Sequence, residues 1–156
     1  MIKIIDISEN KLWDDIVKQF SEYDVYYLSG YVKAFQIHGD GEPQLLFYET
    51  DKLKAIYVYM KRNTSLDGIY DSTTPYGYGG VLFKGDVSKE NLNAFWDAYT
   101  QKMAEENIID NFVRYHPILS NAMPMKEISS VIDLGKTIAM DLSSPEVIWE
   151  NIHSKN

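Results

Sequence analysis

Cysteine is absent from this chain of 156 residues. Disulfides, thiolate metal sites and cysteine nucleophiles are therefore excluded. Basic residues are scarce: 15 Lys and Arg against 23 Asp and Glu leave a formal net charge of −8. Phosphate backbones are held by clustered Lys and Arg, so the balance argues against a broad nucleic-acid footprint and leaves room for a small basic pocket. Histidine occurs three times, never at metal-ligand spacing, so no metal site is expected. There is no Gly-x-Ser-x-Gly and no His-Glu-x-x-His, which removes the common hydrolase and metalloprotease signatures. No apolar run approaches the roughly 18 residues of a membrane span. The opening MIKIIDISENK lacks the apolar run and cleavage site of a signal peptide. The expectation is a cytoplasmic protein without a membrane span, since a cysteine-free chain suits a reducing compartment.

What is present fits one globular domain. Apolar residues make up 45% and charged residues 24%, near the averages for folded proteins. No repeat of about 20–50 residues is visible. MIKIIDI reads as a strand. Leu12, Trp13, Ile16, Val17 and Phe20 recur at helical spacing, with Ser8 or Asn10 as cap. A second helix covers YYLSGYVKAFQIHG and stops at Gly39. PQLLFYETDKLKAIYVYMKR reads as a hairpin. Its halves, Leu45–Tyr48 and Ala55–Met60, are apolar on both alternating faces, so it belongs in the middle of a sheet covered on both sides.

GGVLFKG is a further short strand. Ser88 opens a helix with Leu92, Phe95, Trp96, Tyr99 and Met103 on one stripe. IIDNFVRYHP reads as a strand stopped by Pro117, and ISSVIDL and KTIAMDL as two more, joined through Gly135. SSPEVIWENIH opens a last helix, with Ser143 and Glu146 as a capping box and Pro145 in the first turn. Trp13, Trp96 and Trp149 fall on helical stripes and are assigned to the core. Asp14–Asp15 and Glu105–Glu106 are assigned to solvated helix faces. This order predicts an α/β or α+β fold whose sheet contains antiparallel pairs.

Two constellations could carry chemistry. The stretch YDSTTPYGYGG, residues 70–80, holds three tyrosines and three glycines. A phosphate loop needs its glycines directly before a helix, but a strand follows here, and no Lys-Ser or Lys-Thr does. The acyl-CoA acetyltransferase loop needs Gln or Arg where Thr74 stands. The stretch is therefore a tight turn, stiffened by Pro75. Gly77, Gly79 and Gly80 allow positive φ or close backbone approach there. Tyr76 and Tyr78 either form part of a plain turn or wall a binding cleft. Arg114 and His116 share a strand face with Phe112. They either bind a carboxylate or phosphate or lie on a solvated face in a salt bridge, with Asp71 as a partner for Arg114.

These motifs together resemble the FemAB-like transferases, which belong with the acetyltransferase-like GNAT superfamily. YDSTTPYGYGG matches a D-x-T-T-P-Y-G-Y-G-G segment, RYHPI matches R-F/Y-H-P, and DLSSPEVIW is similar to a D-L-S-x-x-x-x-W helix opening, with one residue more before its tryptophan. WDDIVKQF and DVYYLSGYVKAF also look like that family's first helices. The resemblance covers nearly the whole chain, and its tyrosine–glycine motif is the specific part.

The resemblance implies a GNAT-like mixed, largely antiparallel sheet flanked by helices. Members typically carry two GNAT-like subdomains in tandem, and residues 1–156 resemble the N-terminal one. The expectation is thus a single subdomain whose partner subdomain is missing and whose apolar surface favours self-association. Members transfer an aminoacyl group from aminoacyl-tRNA to an amine of a peptidoglycan precursor in bacterial cell-wall biogenesis. Relatives use acyl-CoA or build polysaccharide components. No tightly bound cofactor is implied; the acyl donor, aminoacyl-tRNA or acyl-CoA, is a co-substrate, and tRNA would require the full-length protein. Asp71, Thr74, Tyr76, Gly77, Tyr78, Gly79, Arg114 and His116 become the expected substrate-binding residues, with no catalytic base assigned. The alternatives are a non-catalytic ligand-binding module or an acyl-CoA-dependent N-acyltransferase of polysaccharide biosynthesis.

Overall fold

A computed structural model describes residues 1–152. His153 and the terminal Lys155–Asn156 lie outside the described residues. The chain runs through β1 (Ile2–Asp6), α1 (Asn10–Val17), α2 (Ser29–His38), β2 (Glu42–Glu49), β3 (Leu53–Asn63), β4 (Tyr70–Thr73) and β5 (Leu82–Gly85). It continues through α3 (Lys89–Glu105), β6 (Ile108–Phe112), α4 (Ala122–Met125) and α5 (Pro145–Asn151). The strands form one sheet in the order β1-β2-β3-β4-β6, with β5 also on β3. All pairs are antiparallel except β4 with β6. The fold is mixed α/β with a largely antiparallel sheet flanked by helices, as the element order and the resemblance imply. No helix among the described residues is long and apolar enough to cross a membrane.

Strand alternation sends successive side chains to opposite faces, and this hairpin fills both. Leu45, Phe47, Ile56, Val58 and Met60 pack against Trp13, Ile16 and Val17 of α1 and Val32 of α2. Leu46, Tyr48, Ala55, Tyr57 and Tyr59 pack against Phe95, Tyr99 and Met103 of α3. Two cores thus sandwich the sheet, which explains the absence of a polar face in the β2–β3 sequence.

Several local expectations are corrected. Neither Ser8 nor Asn10 caps the first helical segment. The Asp6 carboxylate does so, accepting from Ser8 N, and a 3-10 turn over Ile7–Glu9 precedes α1. Ser88 occupies the cap position of α3 without bonding its amides; its hydroxyl is engaged by Asp86 and Asn91 instead. At α5 the cap is Ser144, whose Oγ accepts from Val147 N at 3.2 Å, and not Ser143. Trp149 is 78% exposed rather than core. Asp14 is not merely solvated, since its Oδ1 accepts from Ser29 N at 2.9 Å. Glu106 is held by Lys61 and Lys102.

ISSVIDL and KTIAMDL form no strands. Alternation supplies a face pattern, but a strand also needs a ladder partner. Ile128 and Val131 dock on the second core. Ile132, Leu134, Ile138, Met140 and Leu142 then run exposed with no neighbouring strand. The residues 70–73, read as turn, are instead strand β4, paired with β3 and β6.

Candidate functional site

The aromatic–glycine stretch is an excursion from a β ladder. Thr74 N donates to Phe112 O at 3.2 Å, which ends the run alongside β6. The chain rejoins at Gly79, whose N donates to Arg114 O at 2.9 Å and whose O accepts from His116 N at 3.2 Å. Pro75, Tyr76, Gly77 and Tyr78 bulge out between these points. Pro75 has no N–H to continue the ladder. Gly77 has φ 96°, and a Cβ there would lie 2.3 Å from Tyr26 Cε1. Gly80 has φ 102°, and a Cβ there would meet Tyr115 Cδ1 at 2.6 Å. Both positions require glycine, for conformation and for space. Gly79 has no positive φ and contributes through its two backbone bonds. β5 separates the loop from α3, so the loop does not open a helix.

The bulge is fastened from α2 and from the segment before it. Tyr31 Oη donates to Tyr76 O at 2.8 Å. The Tyr76 ring, 72% exposed, stacks on Phe35 with centroids 5.8 Å apart. Tyr26 meets Tyr31 and Tyr78 edge-on at 5.2 and 5.9 Å. Tyr78 is half-buried and lies 5.6 Å from the His116 ring, so it props the turn where Tyr76 projects from it.

Arg114 and His116 do not act on one face. β6 ends at Phe112, and beyond it Tyr115 makes only an isolated bridge to Gly79. Arg114 faces solvent, whereas His116 is buried, at 6% exposure. His116 Nδ1 accepts from Ile118 N at 3.2 Å and Leu119 N at 3.3 Å. That nitrogen is therefore unprotonated, and the Nε2 proton is donated to Asp24 Oδ2 at 2.9 Å. Both ring nitrogens are committed, so His116 braces the loop in this structure and has none free for a ligand. Asn121 completes the brace. Its Oδ1 accepts from His116 N at 3.2 Å, and its Nδ2 donates to Gly79 O at 2.8 Å and Tyr27 Oη at 3.1 Å. Burial pushes the Tyr27 phenol far up.

Asp71 is likewise not a partner of Arg114. Its carboxylate accepts two bonds from Arg62, Nε at 2.8 Å and Nη2 at 2.9 Å. The two stand opposite each other on β3 and β4. This bidentate pair raises the Arg62 guanidinium further, with Asp110 and Asp40 adding to the effect. Thr74 is buried, and its Oγ1 accepts from Arg114 N at 3.3 Å.

A cleft of about 460 Å³ lies at the end of β4 and β6, walled by Asp40, Arg62, Thr74, Tyr76, Phe112 and Arg114. Gly77 also lines it, while Asp71, Tyr78, Gly79 and His116 do not. Phe112 is 59% exposed there. Among the described residues the Arg114 side chain has no hydrogen bond and no ion pair. Sequence reasoning missed Arg62, Asp40, Asp24 and Asn121. The β3–β4 register could have located Arg62, and the polar residues flanking Gly39 point to the turn that carries Asp40. Nothing local pairs Asp24 with a histidine 92 residues on.

No family model matches this chain. No curated protein matches it either. The solved structure of a ribosomal-protein-alanine N-acetyltransferase from Brucella melitensis biovar Abortus 2308 is similar, with a TM-score of 0.48 at 9% identity over 89% of this chain and 98% of that one. A likeness of that size carries no inference about activity.

Proposed function

We propose that this chain is the acceptor-binding subdomain of an acyl or aminoacyl transferase, the N-terminal half of a two-subdomain protein. The observation that carries the reading is the Arg114 guanidinium, unpaired among the described residues, in a cleft walled by the exposed rings of Tyr76 and Phe112. A planar cationic fork beside aromatic faces suits an anionic group on an organic acceptor. The loop motifs that resemble the FemAB-like transferases support the reaction class.

In this reading an acceptor amine, in its neutral form, attacks the acyl carbonyl of aminoacyl-tRNA or acyl-CoA. The amide C–N bond forms, the ester C–O or thioester C–S bond breaks, and the tRNA hydroxyl or CoA thiol leaves with the proton that the amine gives up. The chain contributes position and stabilisation of developing charge rather than a covalent intermediate. Arg114 fixes the acceptor's carboxylate or phosphate, and Tyr76 supports its body. Thr74, Gly79 and His116 hold the loop and Arg114 backbone in place. A peptidoglycan precursor is the acceptor class that the resemblance favours.

The test is transfer of labelled acyl or aminoacyl groups to amine acceptors by a chain that includes the further subdomain. Transfer that falls with Arg114→Gln supports the reading; no transfer from either donor type overturns it. One observation favours a second reading, a non-catalytic binding module: among the described residues no imidazole lines the cleft, and His116, which the sequence pointed to, is turned inward with both nitrogens committed. Ligand binding that depends on Arg114 and Tyr76, with no transfer, would establish that module.

A further inference from the structure

Among the described residues the Arg114 cleft also contains one carboxylate, Asp40. Asp40 lies just after Gly39, at the end of α2. Its side chain is 36% exposed, and its Oδ1 is 2.8 Å from His38 Nδ1. Its Oδ2 accepts no hydrogen bond among the described residues. The other cation of the cleft, Arg62, is already matched by Asp71. The cleft therefore offers a ligand one uncommitted cation, Arg114, and one accessible anion, Asp40.

The asymmetry extends beyond Asp40. That residue and Arg62 also wall an adjoining cleft of about 770 Å³, with Asp6, Glu42 and Lys61. Both cations of this second cleft are matched, Arg62 by Asp71 and Lys61 by Glu106 at 3.3 Å. Lys61 is further held over the Tyr70 ring, 4.2 Å from its centroid. The carboxylates of Asp6, Asp40 and Glu42 thus dominate the side away from Arg114. The groups without an Arg or Lys hydrogen-bond partner differ in sign along the groove: the Arg114 guanidinium at one end, the Asp40, Asp6 and Glu42 carboxylates at the other, where Lys33 acts on Asp6 from a distance.

We infer that the groove is a zwitterion site: Arg114 takes a carboxylate or phosphate, and Asp40 takes the ammonium of the same molecule. This rests on the proposed acceptor role of the cleft and sharpens it. The acceptor is an amine tethered to an anion, oriented by two opposite charges. Asp40 is a specificity residue that selects amines and points them along the groove. A simple amine or a simple anion satisfies half the site, and each leaves one protein charge facing solvent.

The test is an NMR titration of this chain with 6-aminohexanoate and phosphoethanolamine, and with hexanoate, ethyl phosphate and ethylamine as single-charge counterparts. Each zwitterion is expected to bind about tenfold tighter than its single-charge counterparts, a factor set by one added screened ion pair. The stronger arm identifies carboxylate or phosphate as the anion. Asp40→Asn is expected to remove that advantage without weakening hexanoate or ethyl phosphate, since a carboxylate beside the anion is lost. Arg114→Gln is expected to abolish binding of all anions, with Arg114→Lys restoring part of it. Equal affinity for zwitterions and plain anions overturns the inference, as does an Asp40→Asn variant that weakens both alike. The outcomes separate from the transferase reading. Zwitterion binding without acyl transfer keeps the site and removes the reaction. Acyl transfer to plain amines, indifferent to Asp40→Asn, keeps the reaction and removes the inference.

Discussion

His116 Nε2 lies 2.9 Å from the Asp24 carboxylate and joins the segment before α2 to the turn after β6. The imidazole also accepts two backbone amides. His116→Ala is expected to lower stability by about 1–3 kcal/mol, since the part-buried amides of Ile118 and Leu119 and the Asp24 carboxylate lose their partner and the buried ring leaves a gap. Asp24→Asn should cost about 1 kcal/mol, the charge-assisted part of the bond. Urea unfolding of both single variants and the double variant measures the coupling, and strict additivity would refute the brace.

Gly77 and Gly30 should respond oppositely to alanine. Gly77→Ala places a Cβ in the Tyr26 ring and forces a left-handed φ on a residue with a side chain. It is expected to cost about 1–3 kcal/mol and to loosen Tyr76. Gly30 sits within α2 with open space at its Cβ, so Gly30→Ala should stabilise by about 0.5–1 kcal/mol. Thermal melts of the two variants check both signs.

Arg62 and Arg114 divide structural from ligand-facing roles. Arg62→Gln breaks a bidentate pair that is partly exposed, and about 0.5–1 kcal/mol of stability should be lost. Arg114→Gln removes no side-chain hydrogen bond or ion pair among the described residues, and stability should stay within about 0.5 kcal/mol. Chemical denaturation with both variants tests the division; a large loss for Arg114→Gln would show a structural role.

The Glu106 carboxyl is held below its usual range, first by Lys102 and then by Lys61. A depressed folded value means the unfolded chain binds protons first as pH falls. The stabilisation is therefore present above the ordinary carboxylate value of about 4.3 and is lost as pH drops through the lower folded value. The stability gap between the parent and Glu106→Gln should be constant near neutrality and shrink below about pH 4, as urea titrations at each pH would show.

Burial raises the phenols of Tyr27, Tyr57, Tyr59 and Tyr99. A raised folded value keeps its stabilising effect below the unfolded value of about 10 and loses it as pH rises further. Phenolate absorbance from these four should emerge together with unfolding. A gradual, reversible titration of all twelve tyrosines in the folded protein would refute this.

Much of the fold was legible because burial leaves a short-range pattern. The apolar faces of Leu45–Tyr48 and Ala55–Met60 announced a central hairpin, and the stripe from Leu92 to Met103 announced α3. Ile132 to Leu142 carries the same alternation without forming a strand, because alternation specifies a face and not a neighbour. The loop was legible as a rigid aromatic turn, and Gly77 and Gly80 do adopt left-handed backbone. The partners of its flanking polar residues were not.

By itself the sequence determined where the chain must bury apolar surface, where it must bend, and which chemistries it lacks. Those properties depend on residues a few positions apart. Only the tertiary structure decided that Asp71 serves Arg62, that His116 turns inward to Asp24, and that Asp40 faces the cleft of the unpaired Arg114. An ion pair is set by distance in space and by competition among neighbouring charges, and strands distant in sequence bring those charges together.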